Sequence, residues 1–348
     1  MKRAALLTVV LVAGSLGCNG AGGPAGATTA RSASTSASSA SGSGAGSGST
    51  GTGTGAGSGT AAPNTGSVAG IPAIFPPDNP WNTDISSYPV HANSANFISS
   101  IGAATGLHPD FGSDPNGGIP FVVVDGTQPL VPITLGGGAS ESDPGPYPVP
   151  ANAPIEGGVN GTGDRHVLVV DNGNKKLYEM FSSFPDAMTG GWDCSSGAVF
   201  DLTSNNLRPL YWTSADAAGL PIFPGLVRFD EVASGAINHA LRFTVVTTQH
   251  GFVSPARHWA SSNTSANVPP MGLRLRLKAT TNVAGLPPEV QVICKCLMKY
   301  GMLLADNGSN WFISGAPDPR WNDSNLHLIN QVVGGDFEVV DTGPITTQ

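Results

Sequence analysis

Residues 212–246, WTSADAAGLPIFPGLVRFDEVASGAINHALRFTVV, carry the densest alternation of polar and apolar side chains in the chain. The last nine alternate strictly: His239, Leu241, Phe243 and Val245 fall on one side, Asn238, Ala240, Arg242 and Thr244 on the other. A period of two belongs to a half-buried strand. A histidine is therefore expected on the apolar face. Upstream, Ser214 or Asp216 can accept backbone N–H bonds at the start of a short helical turn, and Pro224 can open another that Gly235 ends.

Outward from this stretch the runs are short and punctuated by turns. Residues 118–124 (GIPFVVV) and 128–135 flank Asp125-Gly126, and 165–171 (RHVLVVD) and 176–181 (KLYEMF) flank Asn172-Gly173-Asn174. Both separators are hairpin signals. Further strand-like runs are 198–202, 272–278, 302–305 with 311–314 around Asp306-Asn307-Gly308, and 337–340. Helical patterning is confined to 94–101, 288–300 and 324–333, the last with Gly334 as terminator. With 47 glycines, 29 prolines and only 11% charged residues among 348, loops take a large share and helix-rich folds are disfavoured. The pattern predicts a mainly β fold, an antiparallel β-sandwich or jelly-roll-like body with two or three peripheral helices. An α+β domain with a split sheet is the alternative.

The N-terminal part is of another kind. Residues 1–18, MKRAALLTVVLVAGSLGC, begin basic and continue with an apolar run too short to span a bilayer, which reads as a secretory signal. Small residues ahead of Cys18 match a lipoprotein signal in which that cysteine is lipidated, although Ser15 stands where such signals usually have Leu. Simple cleavage and release is the alternative. Residues 19–68 are nearly all Gly, Ser, Thr and Ala and cannot bury enough apolar area to offset ordering entropy, so a flexible tether is expected. Fifty such residues span about 35 to 42 Å. Residues 69–348 then form one globular β-rich domain, exported and held at the cell surface or outer membrane, or otherwise secreted. Its only membrane contact would be a lipid on Cys18. All 24 acidic residues but only 13 of the 16 basic ones follow residue 69, a net charge of −11 there. Such a surface repels nucleic acid.

With Cys18 lipidated, Cys194, Cys294 and Cys296 remain, an odd set. An exported domain permits a disulfide from Cys194 to Cys294 or Cys296. Cys294 and Cys296, two apart on a helix, make a poor metal pair. The acidic loop Glu141-Ser142-Asp143 is short of ligands for Ca²⁺. No metal and no cofactor is expected.

The blocks PPDNPWNTDIS (76–86), GDRHVLVVD (163–171), SGAVFDLTSNNLRP (196–209), PARHWAS (255–261), PPMGLRLRLKA (269–279) and YGMLLADNGSNWFISGAPDPRW (300–321) resemble an uncharacterised family of secreted bacterial proteins. That resemblance covers most of the domain. It implies export and a single domain, and it carries no activity and no catalytic residue.

Chemistry is therefore read from residue types. His166, His239, His250 and His258 stand in distinctive settings among Asp164, Asp171, Glu179, Asp201, Asp216, Asp230 and Glu231. If the 165–181 hairpin forms, His166 and Glu179 share a face, as general base and orienter. The alternative is that His166 and His239 are core histidines satisfied by backbone or carboxylate. Arg274, Arg276 and Lys278 alternate with leucines, and with Arg165 and Arg242 they can grip an acidic sugar or simply line a solvated face. Trp311 and Trp321, in a Gly/Pro-rich region, can stack on sugar rings or be buried. No GxSxG, HExxH or phosphate loop is present. The expected function is binding or cleavage of a polysaccharide or other glycan. Glu179 and Asp201 would act in hydrolysis, and His166 or His239 as base in elimination. A non-catalytic surface adhesin or scaffold is the competing class.

Overall fold

The computed structural model describes residues 74–347. The signal segment 1–18, the lipidation candidate Cys18, the tether 19–68 and the domain's expected start at 69–73 lie outside the described residues. In chain order the helices are α1 (Ser94–Ile101), α2 (Phe229–Ser234), α3 (Pro288–Lys299) and α4 (Asp323–Leu326). The strands are β1 (His108–Asp110), β2 (Phe121–Val124), β3 (Ile133–Leu135), β4 (Val167–Asp171), β5 (Lys176–Phe181), β6 (Phe184–Asp186), β7 (Gly191–Cys194), β8 (Ser196–Asp201), β9 (Leu241–Val245), β10 (Arg274–Leu277), β11 (Met302–Asn307), β12 (Phe312–Ser314) and β13 (Phe337–Val339).

These strands build a six-stranded sheet (β1-β12-β9-β11-β10-β13), a four-stranded sheet (β2-β4-β5-β8) and a three-stranded sheet (β3-β7-β6). The fold is mainly β, 24% strand against 16% helix, and its sheets are mixed and open. Parallel neighbours occur in all three: β1 with β12 and β9 with β11, β2 with β4, and β3 with β7. One apolar core joins the six-stranded sheet, α1, α3 and one face of the four-stranded sheet. A smaller core, with Tyr147 and Trp192, fills the space between the other face of that sheet and the three-stranded one.

Local signals and pairing part company in an informative way. Asn172-Gly173-Asn174 does close the β4–β5 hairpin. Asp125-Gly126 turns the chain, with Gly126 at φ +91°, yet β2 and β3 belong to different sheets. Likewise β11 and β12 do not pair with one another; both flank β9. A turn residue permits a reversal, but the partner is chosen by which apolar surface is covered. Strand β9 is buried along nearly its whole length, so it takes the inner position that a β11–β12 hairpin would have filled. The third expected helix, 324–333, is split into α4 and a 3₁₀ segment, His327–Gln331.

The stretch 213–227 forms a buried irregular layer instead of two helical turns. Asp216, Ala218, Ile222, Phe223, Leu226 and Val227 are fully covered, and only Phe223–Gly225 makes a 3₁₀ turn. A buried irregular chain has peptide groups with no ladder to join, and each must find another partner. Side chains supply them. Glu179 accepts from the N–H of Ile222 and Phe223, and Ser214 Oγ accepts from Asp216 N–H. His166 bonds to Ala215 O, Arg208 to Thr213 O and Arg228 to Phe223 O.

Candidate functional site

Cross-strand register puts Leu168 opposite Glu179, so His166, two residues earlier, shares the Glu179 face. Both side chains are sealed: His166 is 2% exposed and Glu179 0%. His166 pairs through Nδ1 with Glu156, at 2.6 Å, and not with Glu179. Burial opposes its charged form, but Glu156, by charge and by hydrogen bond, outweighs this and lifts it to about 9. Glu179 is pushed up to about 7 by burial, against the pull of its two backbone donors. Asp201 lies on the opposite face of β8 from Ala198, the residue paired with Glu179. It is exposed and its carboxylate bonds Thr203 in its own turn. Glu179 and Asp201 therefore do not flank a common bond.

The remaining residues singled out by sequence hold the chain together. His239 Nδ1 faces Ala240 O, and its Nε2 meets Arg228 at 2.7 Å. Arg165 is buried and staples a loop through the carbonyls of Val159, Gly161 and Ser183. Arg274 bonds the carbonyls of Pro80, Thr83 and Tyr300, and Arg276 pairs with Glu338 while bonding Ile85 and Tyr88 carbonyls. This cationic row is a clasp for residues 80–88. Trp311 and Trp321 are buried, each donating its indole N–H to a carbonyl, Gly102 and Ala316 respectively. They offer no face to a sugar. Cys194, Cys294 and Cys296 are free and buried; Cys194 belongs to the smaller core and Cys294 and Cys296 to the larger, so the disulfide that an exported domain would permit from Cys194 does not form.

Arg242 is different, because it connects the interior to the surface. Its guanidinium grips Asp216 with two bonds of 2.7 and 2.8 Å and donates to Ser314 Oγ, across the sheet on β12. Asp306, on β11, completes the group 3.8 Å away. The β9–β11 register slips between Leu304 and Asp306, and such a bulge re-aims the side chain that follows it. Asp216 is wholly buried, whereas 24% of the Asp306 side chain meets solvent. Burial, then the adjacent Asp216 carboxylate, raise Asp306 to about 8, although Arg242 pulls the other way.

Asp306 Oδ2 accepts from the N–H of Ala217 at 3.3 Å, and the carbonyl of the same residue faces His258 Nδ1 at 3.0 Å. A carbonyl only accepts, so Nδ1 bears the hydrogen, which in an uncharged imidazole leaves the lone pair on Nε2. That nitrogen is 4.0 Å from Glu141, and the two side chains are 26% and 36% exposed. Ala217 thus holds at its N–H a carboxyl whose protonated form is favoured and at its C=O a histidine. Both groups are of the kind that moves protons. Asp306 carries no sequence signal beyond a strand-ending Asp-Asn-Gly turn, and its aim comes from the bulge. Glu141 read as a deficient calcium loop; it accepts instead from Thr213 N–H.

Ile155, Gly158 and Val159, around Glu156, line a cleft of about 350 Å³ with Asn116, Asn152 and Pro317. Among the described residues no cluster of three His, Cys, Asp or Glu side chains is placed to hold a metal ion, and no helix is long and apolar enough to cross a membrane. Searches against family models, curated proteins and solved structures found no match.

Proposed function

We propose that this is an exported, tethered glycoside hydrolase in which Asp306 is the general acid and His258 the general base. The observation that carries the reading is the hold of both side chains on Ala217, one at its N–H and one at its C=O. The Asp306 proton passes to the glycosidic oxygen as its bond to the anomeric carbon breaks. A water attacks that carbon and gives its proton to His258 Nε2, and Glu141 stabilises the imidazolium formed. Burial, and then Asp216 fixed by Arg242, favours the protonated form of the acid. In this reading His166, Glu179 and His239 are structural, and Arg165, Arg274 and Arg276 bind backbone and not a glycan. The signal-like residues 1–18, a lipid on Cys18 and the resemblance to secreted bacterial proteins support a surface location. The architecture is read as an open sandwich of the six- and four-stranded sheets.

The test is a panel of neutral and acidic polysaccharides, followed by reducing ends and by absorbance of unsaturated products. Hydrolysis is expected, with Asp306→Asn and His258→Ala each lowering kcat by about 10²–10⁴. If both variants keep full rate, the assignment is wrong. If every polymer binds and none is cut, the domain is an adhesin or scaffold.

A further inference from the structure

The reaction above leaves unused the aromatic residues next to His258. Trp259 is the centre of a ring cluster: Tyr211 at 5.5 Å edge-on, His250 at 4.4 Å, His258 at 5.7 Å and within 3° of parallel, and Phe252 beneath the surface at 5.9 Å. Tyr211, His250, His258 and Trp259 are all partly exposed. This is not how the chain treats its other indoles. Four of the six tryptophans, Trp81, Trp192, Trp311 and Trp321, are at most 5% exposed. The two left partly exposed, Trp212 and Trp259, belong to the two segments bordering the acid–base pair.

The connection to that pair is through backbone. Arg257 and His258 both donate their N–H to Ala218 O, Tyr211 donates to Arg257 O, and Ala218 N–H bonds Ala305 O, one residue before Asp306. Peptide hydrogen bonds thus tie the segments that carry the ring cluster to the strand that carries the acid.

We infer that Trp259, with Tyr211 and His258 around it, is the floor of a subsite that takes a ring of a neutral hexose or pentose polymer beside Asp306. The inference rests on the glycosidase reading and adds its substrate class. Sugar rings present flat C–H faces that stack on an indole, and their hydroxyls bond to carboxylates such as the partly exposed Glu141. The polymer is neutral because a domain of net charge −11 repels a polyanion.

The experiment is affinity electrophoresis of the full chain carrying Asp306→Asn, so that nothing is turned over, in gels containing xylan, mixed-linkage β-glucan, galactomannan, polygalacturonate or alginate. Retardation by at least one neutral polymer is expected. It weakens at least tenfold with Trp259→Ala and much less with Trp259→Phe, which keeps a ring against Phe252 and guards against a folding defect. In the catalytically intact chain, Trp259→Ala raises KM by a larger factor than it lowers kcat. Unaltered retardation and KM in Trp259→Ala, or retardation by the acidic polymers alone, overturns the subsite while leaving the hydrolase standing. Retardation that depends on Trp259 without any hydrolysis keeps the subsite and removes the hydrolase. No retardation and no hydrolysis removes both.

Discussion

Glu179 and Asp306 are two carboxyls that serve the same buried stretch from opposite ends. Glu179 caps the N–H groups of Ile222 and Phe223, and Asp306 caps that of Ala217. Burial raises both, to about 7 and about 8. They differ in access. Both feel the Asp216 carboxylate, and Glu179 also feels His166, but Glu179 is 0% exposed while 24% of the Asp306 side chain reaches solvent. A shifted titration therefore does not distinguish a structural carboxyl from a working one. Exposure does.

Replacing each carboxyl by its amide breaks or sharpens this contrast most directly. Asp306→Asn lowers glycan hydrolysis by the factor given above, and Glu179→Gln leaves kcat within about twofold, since an amide still accepts from Ile222 and Phe223 and the site is sealed. Loss of rate in the Glu179 variant at unchanged stability would reverse the two roles. The next effect in size concerns the network that holds Asp306. Arg242→Met strands the buried Asp216 charge and is expected to cost about 3–5 kcal/mol in urea unfolding; a loss under about 1 kcal/mol would mean that the pair does not organise the interior.

A further effect is on stability against pH. Asp306, Glu179 and His166 bind protons more tightly folded than unfolded, with values raised from 3.8, 4.5 and 6.5 to about 8, 7 and 9. Their contributions are present at low pH and are lost as pH rises through the folded values. Glu231, lowered to about 2 by Arg228 and His239 against burial, works the opposite way and is lost as pH falls below its unfolded value of 4.5. The urea midpoint should thus peak near pH 5 and decline toward pH 9. Asp306→Asn, which imitates the protonated acid, flattens that decline, and a midpoint that climbs from pH 5 to 8 would refute the assignment of its titration.

Much of the architecture could be read in the chain. Helix α1 falls where the 94–101 pattern puts it, α3 ends one residue earlier than expected, and the Asn-Gly-Asn turn closes its hairpin. The pairing errors at Asp125-Gly126 and at Asp306-Asn307-Gly308 share one cause, because long-range burial selects a strand's neighbour and turn residues do not. The conspicuous polar residues misled for a related reason. His166, Glu179, Arg165 and Arg274 look catalytic or ligand-binding in sequence because ionisable groups among apolar runs are costly, and here that cost is offset by orphan peptide groups of buried irregular chain.

Period, composition and turn chemistry are local, so sequence by itself determined a β-rich body, the places of its main helices and the strands that could form. The tertiary structure alone decided that β9 lies between β11 and β12 and that residues 213–227 run buried between sheets. It also decided that a one-residue slip turns Asp306 toward Ala217. Each of these depends on contacts between segments tens of residues apart, and no pattern within one segment encodes them.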